Sequence, residues 1–362
     1  MDVRLSDEQR ALRESAARLV GDRAPRSVAA LADAARAAGL EAALTASGWR
    51  ELRLPDPDAP DRPLASAVET AIVAEELGRG LADVPFLGPT LAAELRRRAG
   101  AEAAASIETV LLRPDLSGPA VIEDGRTRCS GTAIDARGAT AALLLVRTDH
   151  GHDLACVPVA GTVAGTVAGT VAGTAPGRDL TRPAAAVADA VPGRPPGPAR
   201  RPLTAGDVEA WSAFALALTC ADLVGTMRGA VDLARAYAGV RHQYGVAIGT
   251  FQSVQHMLAD AFVSIEGSSS VARHAAWAAD TLPPGEALAA AAVAKAYCGR
   301  AAREVCETAV QVHGGIGMTW DCLAHVHLRR ALLSTQVLGD VGASLARVVA
   351  HREIGGGPDG LR

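Results

Sequence analysis

From about residue 205 onward, apolar residues recur at helical spacing over long stretches, which predicts four long helices over roughly 205–240, 250–281, 285–313 and 322–352. Their interiors are rich in Ala and Leu, and four such helices can close into an up-down bundle. The first hundred residues are also helical in pattern. Ser6 to Gln9 fits a capping box, and Leu12, Ala16 and Leu19 fall on one face of the helix that follows. Helical spacing continues over 28–39, 41–47 and 64–77, with Gly78 and Gly80 as stop signals. Between these regions the period changes. Short runs at 120–122, 141–146 and 154–157, punctuated by Asp124-Gly125, predict strands. The pattern therefore predicts a mainly α protein with a small β insert: an N-terminal helical domain (1–109), a β domain (110–188), a Pro/Gly-rich linker (189–203) and a C-terminal four-helix bundle (204–362). The tandem repeat GTVAGTVAGTVAGT at 161–174 lacks the strand-then-helix context of a phosphate loop, so it is read as a low-complexity surface loop.

Composition narrows the function. Hydrophobic residues make up 49% of the chain but aromatics only 3%, so the core is built of Ala, Leu and Val. A net charge of −4, with no basic block, gives no footprint for nucleic acid. Lys295 is the only lysine beside abundant Arg, a bias read as base composition. Cys129, Cys156, Cys220, Cys298, Cys306 and Cys322 are scattered without metal-ligand spacing and are expected to be reduced thiols. His256 and His274 are expected to be packing residues rather than ligands, and His325 and His327 alternate too closely for one helical face, so no metal site is expected. The N-terminal segment does not have the layout of a signal peptide, and no uninterrupted apolar run reaches membrane-spanning length. A cytoplasmic location without membrane association is the expectation.

Two motifs carry the candidate chemistry. The first is Arg241-His-Gln-Tyr244-Gly245, followed by Phe251-Gln252; the second is Gln311-Val-His-Gly314-Gly315-Ile-Gly317. Arginine offers a planar fork of donors suited to phosphate, and glycines let a backbone approach a ligand closely. Together they resemble the C-terminal domain signature of the acyl-CoA dehydrogenase family. The N-terminal order L-S-D-E-Q, G-W-x-x-L-x-x-P and E-E-L-G-R also resembles that family, although Asp-Pro-Asp-Ala-Pro stands where a Gly-Gly pair is usual. Arg178-Asp-Leu-Thr-Arg182 resembles the D-x-T-R near the end of its β domain.

The resemblance implies FAD as cofactor, an acyl-CoA thioester as substrate, and removal of the α proton by a glutamate in a dry pocket while flavin accepts the β hydride. It also implies that Arg241, Tyr244, Gln252, Gln311, Gly314 and Gly315 contact FAD seated largely in a neighbouring subunit. Two expected features are missing. No T-E-x-x-x-G-S-D-like loop and no W-x-[TS] stretch, which hold the flavin ring, occur between residues 91 and 183. The two positions the family uses for its glutamate fall at Leu338 and Ala215, neither of which can take a proton. Asp340 and Glu209 are the nearest substitute acids, and a helix-cap or surface role is the plainer expectation for both. Ala213, Ala215 and Ala217 are read as permitting close packing rather than a roomy acyl pocket.

The chain thus retains the half that reaches into a neighbour's flavin site and lacks the half that does chemistry. The resemblance points to a non-catalytic subunit of a heteromeric α2β2 acyl-CoA dehydrogenase. Two alternatives stay open: a homo-oligomeric FAD enzyme of this fold with non-desaturating chemistry, such as oxygenation, and a flavin-free scaffold.

Overall fold

The computed structural model describes residues 4–159, 179–195, 197, 199 and 201–355. The repeat at 161–174 and Arg178 lie outside the described residues. The N-terminal region contains α1 (Asp7–Arg23), α2 (Ala34–Ala46), a small hairpin β1 (Pro55–Asp56) and β2 (Ala59–Pro63), α3 (Ala67–Arg79) and α4 (Leu87–Arg98). The Ser6 capping box forms as its sequence predicts, with Gln9 N–H donating to Ser6 Oγ at 3.2 Å and Ser6 N–H to Gln9 Oε1 at 3.1 Å. A second box, Ser66 with Glu69, starts α3.

Helix α4 is not among the helices that the hydrophobic pattern predicts, and its cap explains why. Its orphan N–H groups are satisfied from far along the chain: Phe86 N–H donates to Asp135 Oδ2 at 2.7 Å, and Gly88 N–H to the same oxygen at 3.3 Å. A cap 49 residues away hides where the helix starts, although Leu87, Leu91 and Leu95 recur at helical spacing and Arg96 to Arg98 mark its last turn.

The middle of the chain is a six-stranded sheet made of β3 (Glu108–Leu112), β4 (Val121–Glu123), β5 (Cys129–Ala133), β6 (Ala141–Thr148), β7 (Gly151–Pro158) and β8 (Ala185–Ala190). β3 and β4 lie end to end along one edge of β6, both parallel to it, with β7 antiparallel along the other edge. β5 pairs antiparallel with β3 and β8 with β5. Both faces of β6 are buried: Ala142 and Leu144 join a small core with Leu111 and Val157, while Leu143 and Leu145 face the main helical core. That double burial is why the β6 sequence is a continuous apolar run rather than an alternation.

The bundle is built on α5 (Ala205–Val240), which leads through a hairpin, β9 (His242–Gln243) and β10 (Val246–Ala247), into α6 (Gln252–Thr281) and α7 (Pro284–His313). By length and composition α5 could cross a membrane, which qualifies the expectation drawn from the sequence, but its apolar stretch is almost wholly buried as the core helix of the bundle. α3 lies against it with backbones nearly touching. A Cβ on Gly225 would sit 1.8 Å from the Glu75 carbonyl oxygen, and one on Gly78 2.6 Å from that of Asp222. Gly78 is therefore inside α3 as a contact residue, not its stop; Gly80 is the C-cap.

The predicted fourth helix is in fact two, α8 (Ala324–Gln336) and α9 (Val341–Gly355). The break comes from left-handed backbone at Leu338 (φ 64°) and Gly339 (φ 101°), with Asp340 Oδ1 accepting from Ala343 N–H at 2.8 Å to start α9. Cations hold this connector in place. Buried Lys295 on α7 donates from Nζ to the carbonyls of Thr335 (3.0 Å), Val337 (2.8 Å) and Gly339 (2.7 Å), and Arg347 donates to that of Leu338 at 2.8 Å.

Candidate functional site

The residues assigned to cofactor contact gather at one end of the bundle. Arg241 caps α5, its N–H donating to the Tyr237 carbonyl at 2.9 Å, and its side chain is exposed without a partner among the described residues. The chain then reverses over Tyr244 (φ 52°) and Gly245 (φ 83°), consecutive positive φ values that suit a two-residue hairpin turn. Tyr244 stands 95% exposed, with its ring edge-on to Phe251 at 6.3 Å. Gln252 opens α6 and is exposed.

The second motif ends α7. His313 is buried, its Nδ1 bonded to the Ala309 carbonyl at 2.7 Å, and its ring stacks on Tyr237 at 4.6 Å. That stack, one turn before Arg241, ties the ends of α5 and α7 together. Gln311 on the last turn is exposed. Gly314 adopts φ 66°, ψ −145°, a conformation open only to glycine. A Cβ on Gly315 would meet nothing, whereas one on Gly317 would press on the Val310 carbonyl at 2.9 Å. Of the three glycines, one serves conformation, one packing, and Gly315 presents open backbone. The result is an outward rim of unpaired guanidinium, amide side chains, bare backbone and an exposed phenol. These groups fit the phosphates and polar edges of a dinucleotide.

The positions assigned to the catalytic glutamate are different in kind. Ala215 is fully buried in α5. Leu338 is 3% exposed within the connector. A loop of the β domain closes over it: Gly339 N–H donates to the Leu116 carbonyl at 3.2 Å, and Arg347 bridges to the Ser117 carbonyl at 3.1 Å. This loop, Arg113 to Gly118, follows β3 directly. Asp340 is exposed and caps α9, and Glu209 is exposed on α5. Both acids sit in water rather than in the dry pocket that a general base for this chemistry requires.

The sequence pattern gives no sign of a buried polar network that the fold assembles. Asp222 on α5 accepts from Arg330 Nε (3.0 Å) and Nη2 (2.6 Å) and from Ser334 Oγ (2.9 Å), and lies 3.0 Å from Arg182 Nη1. Arg182 also pairs with Asp179 at 3.0 Å, and Arg330 donates to Thr181 Oγ1 at 2.8 Å and the Ala82 carbonyl at 2.9 Å. The D-x-T-R segment therefore joins the β domain to α5, α8 and the turn after α3. Burial pushes the Asp222 carboxyl up, but Arg182 and Arg330 outweigh it and hold it below the ordinary range. His256 and His274, expected to pack, are instead exposed on α6, while His325 and His327 are both buried in α8.

Comparisons with known proteins bear on the family and the fold. Residues 215–351 match the family described as acyl-CoA dehydrogenase, C-terminal domain. Acyl-CoA dehydrogenase FadE34 of Mycobacterium tuberculosis is 39% identical over 142 residues, covering 39% of this chain and 20% of that protein. Acyl-CoA dehydrogenase IpdE2 of Mycolicibacterium smegmatis is 32% identical over 148 residues, 41% of this chain and 45% of that protein. The matched region thus spans less than half the length of either relative. Among solved structures, the Tcur3481-Tcur3483 steroid ACAD G363A variant superposes with a TM-score of 0.77 at 24% identity, over 96% of this chain and 98% of that one. The ChsE4-ChsE5 complex from Mycobacterium tuberculosis gives 0.75 at 22% identity, over 99% and 100%. The chain as a whole has the acyl-CoA dehydrogenase fold. Its C-terminal region belongs to the acyl-CoA dehydrogenase family.

Proposed function

We propose that this chain is the non-catalytic subunit of a heteromeric acyl-CoA dehydrogenase. It completes the FAD site of a catalytic partner that desaturates an acyl-CoA thioester. One contrast carries the reading: the rim from Arg241 to Gly315 is open and unpaired, while the glutamate position at Leu338 is apolar, buried and covered by the chain's own 113–118 loop. The likeness to two structures named as pairs of chains supports it.

In that assembly Arg241 would hold the phosphates, and Gln252 and Gln311 would bond polar edges of the dinucleotide. Bare backbone at Gly314–Gly315 would allow close approach, and Tyr244 would cover the adenine or ribose side. Bound FAD supplies the hydride acceptor, and the partner supplies the base. This chain's residues bind, orient and exclude water. Arg241→Ala should empty most of the flavin from the complex while both subunits still co-purify. Unchanged flavin content in that variant would sink the assignment.

A further inference from the structure

The rim borders an apolar surface. The Tyr237–His313 stack brings the ends of α5 and α7 together, so the hairpin after α5 and the 3₁₀ turn Gly314–Met318 after α7 leave the bundle side by side. Val240, Tyr244, Val246, Ile316, Met318 and Trp320 are all exposed there. Large apolar side chains exposed singly are ordinary, but such a gathering at one end of a bundle marks an interaction surface.

Trp320 is 61% exposed and yet held in place. The buried His325 ring meets it edge-on with centroids 5.3 Å apart, and the Arg329 guanidinium lies 6.0 Å from its ring centre. Arg329 is itself exposed and forms no ion pair among the described residues. A large ring fixed before binding loses little freedom on docking, and Trp and Arg are the residues that most often dominate a protein interface. Met318, 65% exposed, adds a side chain that adapts to the facing surface.

We propose that Trp320 and Arg329, with Ile316 and Met318, are the docking anchor for the catalytic dehydrogenase subunit. The proposal rests on the flavin-site reading, and chain length decides the occupant. A 3₁₀ turn rises about 2 Å per residue and extended chain at most about 3.6 Å, so Gly315 and Trp320 lie within about 13 Å of each other. A stable interface covers about 800 Å² on each partner, a patch roughly 32 Å across. A subunit that brings its FAD to Gly315 therefore covers Trp320 as well. Trp320 then fills an apolar pocket of that subunit, and Arg329 pairs with a carboxylate at its edge.

The test is pairwise co-expression of this chain with each acyl-CoA dehydrogenase chain of the same genome that carries the family's glutamate, followed by sedimentation and hydrogen exchange. The wild-type chain should form a mixed complex in which the amides from Ile316 to Trp320 exchange at least about tenfold more slowly than in the chain alone. Trp320→Ala should weaken that complex at least about thirtyfold and Arg329→Glu about tenfold or more, at little-changed melting temperature because both side chains are exposed. Arg241→Ala separates the two readings, since it should keep the complex and lose the flavin. A complex of wild-type strength with folded Trp320→Ala overturns the anchor and leaves the flavin site standing. Flavin retained by Arg241→Ala, in a complex that Trp320→Ala still breaks, supports the anchor and overturns the flavin assignment alone. No mixed complex in any pair, or protection of the Ile316–Trp320 amides in the chain alone, by a second copy or by its own segments, overturns the proposal.

Discussion

Replacing Lys295 by Met tests the connector that buries Leu338. The lysine is 1% exposed, and its three acceptor carbonyls all belong to the connector or the last turn of α8. Met fills the space and removes every donor. Each buried carbonyl left without a partner costs about 1–3 kcal/mol. Against that, burial lowers the lysine from 10.5 to about 8. Removing the charge therefore relieves about 3 kcal/mol, at roughly 1.36 kcal/mol for each pKa unit. With three carbonyls, the net loss expected at pH 7 is about 0–6 kcal/mol, centred near 3.

The pH dependence has a fixed sign. The folded pKa lies below the unfolded one, so below about 8 both states hold the proton and this group adds no slope. Between about 8 and 10.5 the unfolded chain binds a proton that the folded chain has released, so wild-type stability rises with pH through that window. Urea unfolding at pH values of about 7 and about 9.5 should therefore show the gap between wild type and Lys295→Met widening by about 2 kcal/mol. Hydrogen exchange should be faster at the amides from Val337 to Asp340 in the variant. A gap that narrows with pH, or unchanged exchange at those amides, would refute the clamp.

Two further outcomes follow from the buried groups. Asp222→Asn should destabilise by about 3–5 kcal/mol in thermal or urea unfolding, because Arg182 and Arg330 lose their shared carboxylate. Since the folded Asp222 pKa is depressed, its contribution is present above the unfolded value and lost as pH falls through the folded one, so the variant should show a shallower acid-side decline in stability than wild type. Leu338→Glu should give no acyl-CoA-dependent reduction of an artificial electron acceptor by this chain alone, because the position is 3% exposed and covered by the chain's own 113–118 loop.

The bundle is legible in the sequence because α5, α6 and α7 are dictated by local periodicity, with a side-chain cap at the start of α5. The spacing from 205 to 240 and the Thr204–Asp207 capping box both lie at the helix they define. The break between α8 and α9 is not legible, since a leucine at φ 64° has no local signature and is imposed by Lys295 and Arg347 from other positions. The start of α4 is hidden for the same reason, its cap being Asp135, while its Leu87, Leu91 and Leu95 spacing is in the sequence. A single lysine inside an Ala-rich helix carries a signal of its own: base composition explains its rarity, and its setting implies burial with partners to find. The rim residues are visible as motifs because glycine and arginine are chosen there for backbone freedom and donor geometry. The Asp222 network is not visible, because its members come from four separate stretches of chain.

The central claim is most directly tested by the visible absorption spectrum and molar mass of the purified chain, alone and co-expressed with a catalytic acyl-CoA dehydrogenase chain that carries the missing glutamate. The account predicts a colourless chain alone and a yellow α2β2 complex with the partner. A yellow homo-oligomer of this chain by itself, with FAD bound at full occupancy, would contradict it.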